Sequence, residues 1–207
     1  MTKAESTKAR ATEVGLSLVS SVGLASISIA RVAEQAGLSK SGLFAHFGSK
    51  DALQIEILLA AARLAEERVF GPSDPLPPGL PKLRVFFESW LGWAQRAGLP
   101  GGCPFAAAAF EFDDVDGPVR NALIAIQRRL VSRIELLVED AIGVGELRPE
   151  VDPSQMAWEI MAIYTGHHVS QRLLRDNSAD QRAMEAFGRL TQQQKRVQGN
   201  ARTSSSL

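Results

Sequence analysis

Ser39, Lys40, Ser41, Gly42, Phe44, His46 and Lys50 crowd into a dozen residues of the stretch SIARVAEQAGLSKSGLFAHFGSKDAL, residues 28–53. Hydroxyls, ammonium groups and an imidazole at that density suit hydrogen bonds to phosphate oxygens and base edges rather than bond-breaking chemistry. Catalytic signatures are missing from the rest of the chain. It has no nucleophile elbow, no phosphate-binding glycine loop and no paired carboxylates in cleft register, so no enzyme and no cofactor are expected. His167 and His168 invite a metal reading, but adjacent residues point about 100° apart on a helix. No H-x-x-x-H or C-x-x-C spacing supports a site, and no metal is expected. Glu111, Asp113, Asp114 and Asp116 read as a solvated acidic loop. Cys103 stands between Gly102 and Pro104 at an expected helix start, where a thiolate is favoured. It is either a buried structural cysteine or a redox-sensing thiol.

The elements that must position the first group are short helices. Ile29, Val32, Ala33 and Ala36 recur at i, i+3, i+4 and i+7, one apolar stripe. Ser28 precedes the stripe as a cap, and its hydroxyl is a further candidate for contact. Gly37 occupies the position where a left-handed turn ends a helix, and Leu38 is placed to fold back on it. Ser39 caps the next helix, with Leu43 and Phe47 inward. Lys40, Ser41, Phe44 and Ala45 face elsewhere. Gly48-Ser49-Lys50-Asp51 ends that helix and caps a third. Two helices of about two turns each, joined by a three-residue turn, form a helix-turn-helix, which places its second helix in the major groove of DNA.

This segment resembles the N-terminal domain of the TetR-type (TetR/AcrR-like) transcriptional regulators. The matching residues are Val32-Ala33, Ala36-Gly37-Leu38-Ser39, Leu43-Phe44, His46-Phe47, Ser49-Lys50-Asp51 and Leu53, with Thr7-Lys8-Ala9-Arg10 and Gly23 before them. The resemblance implies that Ser39, Lys40, Ser41 and Gly42 lie nearest the bases, and that His46 and Lys50 contact phosphates. It also implies a double-stranded DNA operator, a small-molecule effector held in an apolar cavity, and a homodimer formed through the last two helices. The chain departs from the family at Ser41, where glycine is usual, and at Gly42, where a polar residue is usual. Phe44 replaces a tyrosine whose hydroxyl bonds a phosphate. His46 has a second reading, as a packed histidine joining helices.

Composition fits this picture. The 207 residues are 45% hydrophobic, enough for a small domain and a larger one. A single cysteine rules out an internal disulfide and suits a cytoplasmic location. The N-terminus lacks the apolar core of a signal peptide, and no run is long enough to span a bilayer. The formal net charge is zero, but it is unevenly spread: residues 1–50 carry six Lys/Arg against three Glu. The helix-turn-helix end is therefore the positive one.

The expected fold is all-α: a three-helix DNA-binding head over 1–52, a helical effector-binding and dimerisation domain over 53–194, and a disordered tail over 195–207. Helices are expected at about 7–22, with Ala11, Val14, Leu18 and Val22 inward, and at 50–69, 82–97, 104–111, 118–142, 153–174 and 179–194, with little β structure. The proline-rich 71–81 is a connector. In the long helix Val119, Leu123, Ile126, Leu130, Ile134, Leu137 and Ala141 recur at near-heptad spacing. Phe86, Trp90 and Trp93 share one face of their helix and are either core or pocket wall. The candidate effector contacts are these three with Cys103, Phe105, Phe110, Gln127, Trp158, Met161, Tyr164 and His168. The alternatives to a ligand-released repressor are a redox regulator acting through Cys103 and a helical ligand-binding or scaffold protein without specific DNA binding.

Overall fold

The computed structural model describes residues 3–195. Ten α-helices run in order: α1 Lys3–Val22, α2 Ile29–Ala36, α3 Lys40–Phe47, α4 Lys50–Ala65, α5 Leu80–Trp90, α6 Trp93–Arg96, α7 Pro104–Glu111, α8 Pro118–Gly143, α9 Pro153–Arg172 and α10 Ala179–Gln194. The only β feature among the described residues is an isolated bridge between Leu147 and Lys195. Lys195 is thus paired, and the rest of the expected tail, 196–207, lies outside the described residues. Helix α1 starts earlier than its apolar spacing indicates, and Val22 is 39% exposed rather than inward.

The head is set by local caps. Ser28 Oγ accepts the Arg31 amide, Ser39 Oγ that of Gly42 and Ser49 Oγ that of Ala52. Gly37 takes φ 62°, and the Gly37 and Leu38 amides donate to the Glu34 and Ala33 carbonyls. This six-residue closure fixes the angle at which α3 leaves α2. Ile29, Val32, Ala33 and Ala36 are all buried.

Two expected helices change character part-way. The 50–69 helix is α-helical only to Ala65. It then widens into a π segment, Glu66–Phe70, closed by the Gly71 amide donating to the Glu66 carbonyl at 3.0 Å. The 82–97 helix breaks at Leu91, which turns extended, and Gly92, which adopts φ 62°. The break swings Trp93 into the core, where it is 1% exposed. Arg96 donates to the Ser89 and Leu91 carbonyls freed there, so the backbone polar groups stay satisfied.

One apolar core runs continuously from Ala11 in the head to Phe187 in α10. Polar clasps reinforce the junction. Gln54 of α4 donates to the buried Leu24 carbonyl at 2.6 Å, and Lys50 to the Ala25 carbonyl at 2.9 Å. The Ala25 amide donates to Glu111 of α7 at 2.8 Å, so Glu111 does not belong to the solvated acidic loop. The Gly102 amide donates to the Ser20 carbonyl at 2.8 Å, and the Gly101 amide to Ser20 Oγ at 3.2 Å.

At Gly101 a Cβ would run into the Ser20 carbonyl oxygen, which is backbone and cannot swing aside. Gly101→Ala is therefore expected to cost about 2 kcal/mol, in the range of overpacking changes. Gly143→Ala, with nothing within 4 Å of the added carbon, should shift stability by less than about 1 kcal/mol. Urea unfolding at fixed protein concentration measures both.

Candidate functional site

Helix α3 presents Lys40, Ser41, Phe44, Ala45 and His46 to solvent, with only Leu43 fully buried beneath them. Phe44 is 55% exposed, unusual for a large apolar ring. His46 is likewise exposed rather than packed between helices. Ser28 and Ser39 Oγ each accept a cap amide, which leaves each hydroxyl its donor proton. Lys50 is partly engaged by the Ala25 carbonyl, which leaves two of its three donors. A Cβ at Gly42 would stand 2.8 Å from Ser39 Oγ, so the glycine lets the cap seat tightly across the first turn. The result is a low, polar helix N-terminus with one exposed ring beside it, a shape that can approach base edges closely.

The second site is a cavity of about 280 Å³ behind α4, bounded by the π segment, α5, α6, α7 and α8. Trp90, Trp93, Phe105 and Gln127 reach its wall, so four of the expected effector contacts come together there. Ile126 and Leu130 are only half-buried despite their inward spacing, because they too face this space. The sequence reading missed Phe70 and Val69 of the π segment and the arginines Arg63, Arg129 and Arg133. The inward stripe of α8 is the one signal that could have pointed here.

Other expected contacts lie elsewhere. Phe86 is fully buried, stacked on Phe70 at 4.9 Å, and serves as core behind the wall. Phe110 and Trp158 are 61% and 64% exposed, each on the outer face of its helix. Met161 packs half-buried against the core. Cys103, Tyr164 and His168 group behind Trp90 with His167, around a space of about 10 Å³, too small for more than one water. Tyr164 stacks on Trp90 with ring centroids 3.8 Å apart. Burial pushes its hydroxyl well above the ordinary phenol range, and the adjacent Cys103 adds to this. His167 Nε2 lies 2.6 Å from Asp180 Oδ1 and ties α9 to α10, while its Nδ1 is buried without a partner among the described residues. A wider groove of about 1190 Å³ between α5 and α10 is open to solvent and contains none of the expected residues.

Residues 12–57 match the family model for bacterial regulatory proteins of the tetR family. Residues 79–187, more than half the chain, match the tetracyclin repressor-like C-terminal domain. The chain belongs to the TetR family of transcriptional regulators. A TetR regulator from Chloroflexus aurantiacus is 28% identical, with a TM-score of 0.86 over 96% of this chain and 100% of that one. A TetR-family regulator from Cytophaga hutchinsonii aligns over 96% of this chain and 99% of its own, at 16% identity and a TM-score of 0.84. One from Streptomyces coelicolor aligns over 93% and 97%, at 19% and 0.79. These two show likeness of fold alone. No curated protein matches the chain. Helices α2 and α3 both lie inside the stretch that matches the tetR-family DNA-binding model. Among the described residues no helix is long and apolar enough to cross a membrane.

Burial holds His168 below the ordinary imidazole value, with Arg172 and then His167 adding to the effect. A base depressed in the folded state leaves the unfolded chain binding more protons below about pH 6.5, so stability falls as pH drops through that value. His168→Gln is expected to flatten this decline between about pH 7 and pH 5.5, read from urea midpoints at the two pH values. A variant declining as steeply as the parent would refute the assignment.

Proposed function

We propose that this chain is a repressor that leaves a palindromic operator when a small, largely apolar effector enters the cavity behind α4. The observation that carries the reading is the double duty of α4. Its first turns hold the α1–α2 corner through Lys50 and Gln54, and its far end forms the cavity wall. An effector that favours a displaced α4 would shift the population away from the DNA-competent form. Residues 1–52 would serve as the reading head and 53–194 as the effector and dimerisation body, working in the cytoplasm without catalysis. Direct candidates for operator contact are Lys40, Ser41 and Phe44, with Ser28, Ser39, Gly42, His46 and Lys50 at its margins. The thiol alternative at Cys103 has weaker support, since that side chain is 5% exposed.

The dimer reading rests on one face of α9. Trp158, Ala162, Thr165, Gly166, Val169 and Leu173 line it at helical spacing, and all are exposed in the isolated chain. Trp158 and Leu173 are 64% and 76% exposed, more apolar surface than a monomer commonly leaves in one stripe. Gly166, at its centre, would let a partner backbone approach closely. A homodimer through α9 and α10 would set the two α3 helices roughly 34 Å apart, one turn of DNA.

Fluorescence anisotropy with the DNA upstream of its own coding region, against a scrambled duplex, tests the regulator reading. A preference of about 10³ or more is expected, and equal, salt-labile binding to both duplexes would defeat it. Lys40→Ala should weaken operator binding about tenfold and reduce the salt slope by about one. Gly166→Arg has open space around it in the monomer, so it should leave helicity intact and yield a monomer by sedimentation. A dimer persisting at micromolar concentration would place the interface on another face.

A further inference from the structure

The cavity is apolar inside and cationic at its rim. Arg63, Arg129 and Arg133 border it, against the single carboxylate of Glu66. Arg129 has no hydrogen-bond or ion-pair partner among the described residues. Arg63 reaches only Glu56, at 3.5 Å. Arg133 lies 2.7 Å from Glu66 and 3.8 Å from Asp74, with its guanidinium carbon 4.3 Å over the Phe70 ring. The cation–π contact with Phe70 and the neighbouring carboxylates hold the Arg133 guanidinium at the rim before any ligand arrives. Glu66 opens the π segment that continues α4, whereas Arg133 belongs to α8. Their ion pair therefore spans the seam that an effector must disturb.

Resting on the reading of this cavity as the effector site, we propose that the effector is a monoanionic amphiphile, a carboxylate on a short apolar body, whose headgroup competes with Glu66 for Arg133. The apolar body packs against Trp90, Trp93 and Phe105. The carboxylate binds Arg129 and takes the Arg133 fork. Glu66 then loses its partner, and the π turn it begins is free to rewind. Wide turns of this kind inside α-helices recur at functional sites because their hydrogen-bond register can change at low cost. Rewinding rotates the α4 residues on its N-terminal side, and with them the Lys50 and Gln54 ties to the α1–α2 corner.

Octanoate and octan-1-ol make a matched pair of probes, equal in apolar chain and differing in charge. Both are titrated into the full chain and followed by tryptophan fluorescence, since Trp90 and Trp93 line the cavity. Octanoate is expected to bind about tenfold tighter than the alcohol, the scale of one charged hydrogen-bonded contact. Arg129→Gln, a change at an exposed side chain, should reduce that preference severalfold, with Arg133 keeping the remainder, while leaving the alcohol's affinity within about twofold. Glu66→Gln removes the competitor and should tighten octanoate. Equal binding of both probes would overturn the anionic assignment and leave the cavity reading standing. Failure of both to bind would overturn the two together. A Glu66→Gln variant with unchanged octanoate affinity would overturn the displacement step.

Discussion

Leu24 and Ala25 turn the chain through a corner between α1 and α2 where no helix satisfies the backbone. The Leu24 carbonyl is buried with Gln54, and leaving that pair broken would cost on the order of 1–3 kcal/mol, whereas the groups of Ala25 are exposed. Side chains from other helices supply the partners: Lys50 and Gln54 from α4, and Glu111 from α7. The buried Gln54 bond, with the exposed Lys50 and Glu111 bonds beside it, therefore favours one arrangement of head on body. The orientation of α3 follows from it, because α2 starts at this corner and the Gly37 closure fixes α3 relative to α2.

The continuous core adds a second constraint. With packed side chains running from Ala11 to Phe187, reading head and cavity share one packed core, which a movement of α4 must rearrange. Close-packed interiors rearrange between discrete packings rather than deform smoothly. A displacement at the π segment must then be resisted entirely or passed on to the head. Placing the irregular turn at the cavity end of α4, and the regular turns at the head end, concentrates the yielding part beside the cavity.

The helix-turn-helix was legible because every signal in it is local: three serine caps, a glycine at a left-handed position and an apolar stripe over two turns. Several helices of the body were legible for the same reason, and α10 matches its expected span. The cavity was not, since six elements build it and an apolar stripe reads alike whether it meets a partner or a void. Ile126 and Leu130 carry the same spacing as the buried Leu123 and Ile134. Only the fold shows that they face open space. Trp158 and Phe110, expected as effector contacts, stand exposed away from this cavity, because aromatic type carries no information about which face of a helix is covered. The break at Leu91–Gly92 escaped notice because it depends on Arg96 reaching back to carbonyls five and seven residues upstream.

Magnitudes decide how the parts divide the work of switching. A hundredfold loss of operator affinity corresponds to about 2.7 kcal/mol. The Arg133–Glu66 pair is 32% and 42% exposed at its two side chains, and a pair that open to water contributes about 0.2–1 kcal/mol. Breaking it cannot supply the whole change. The remainder must come from apolar contact that the ligand makes better with the displaced α4 than with the original one. At about 25 cal/mol per Å², some 80 Å² of additional burial provides about 2 kcal/mol, less than the surface of a single aromatic side chain. In the proposed mechanism the charged rim would select which molecules enter and release the turn, while the tryptophan-lined wall would provide most of the free energy that moves it.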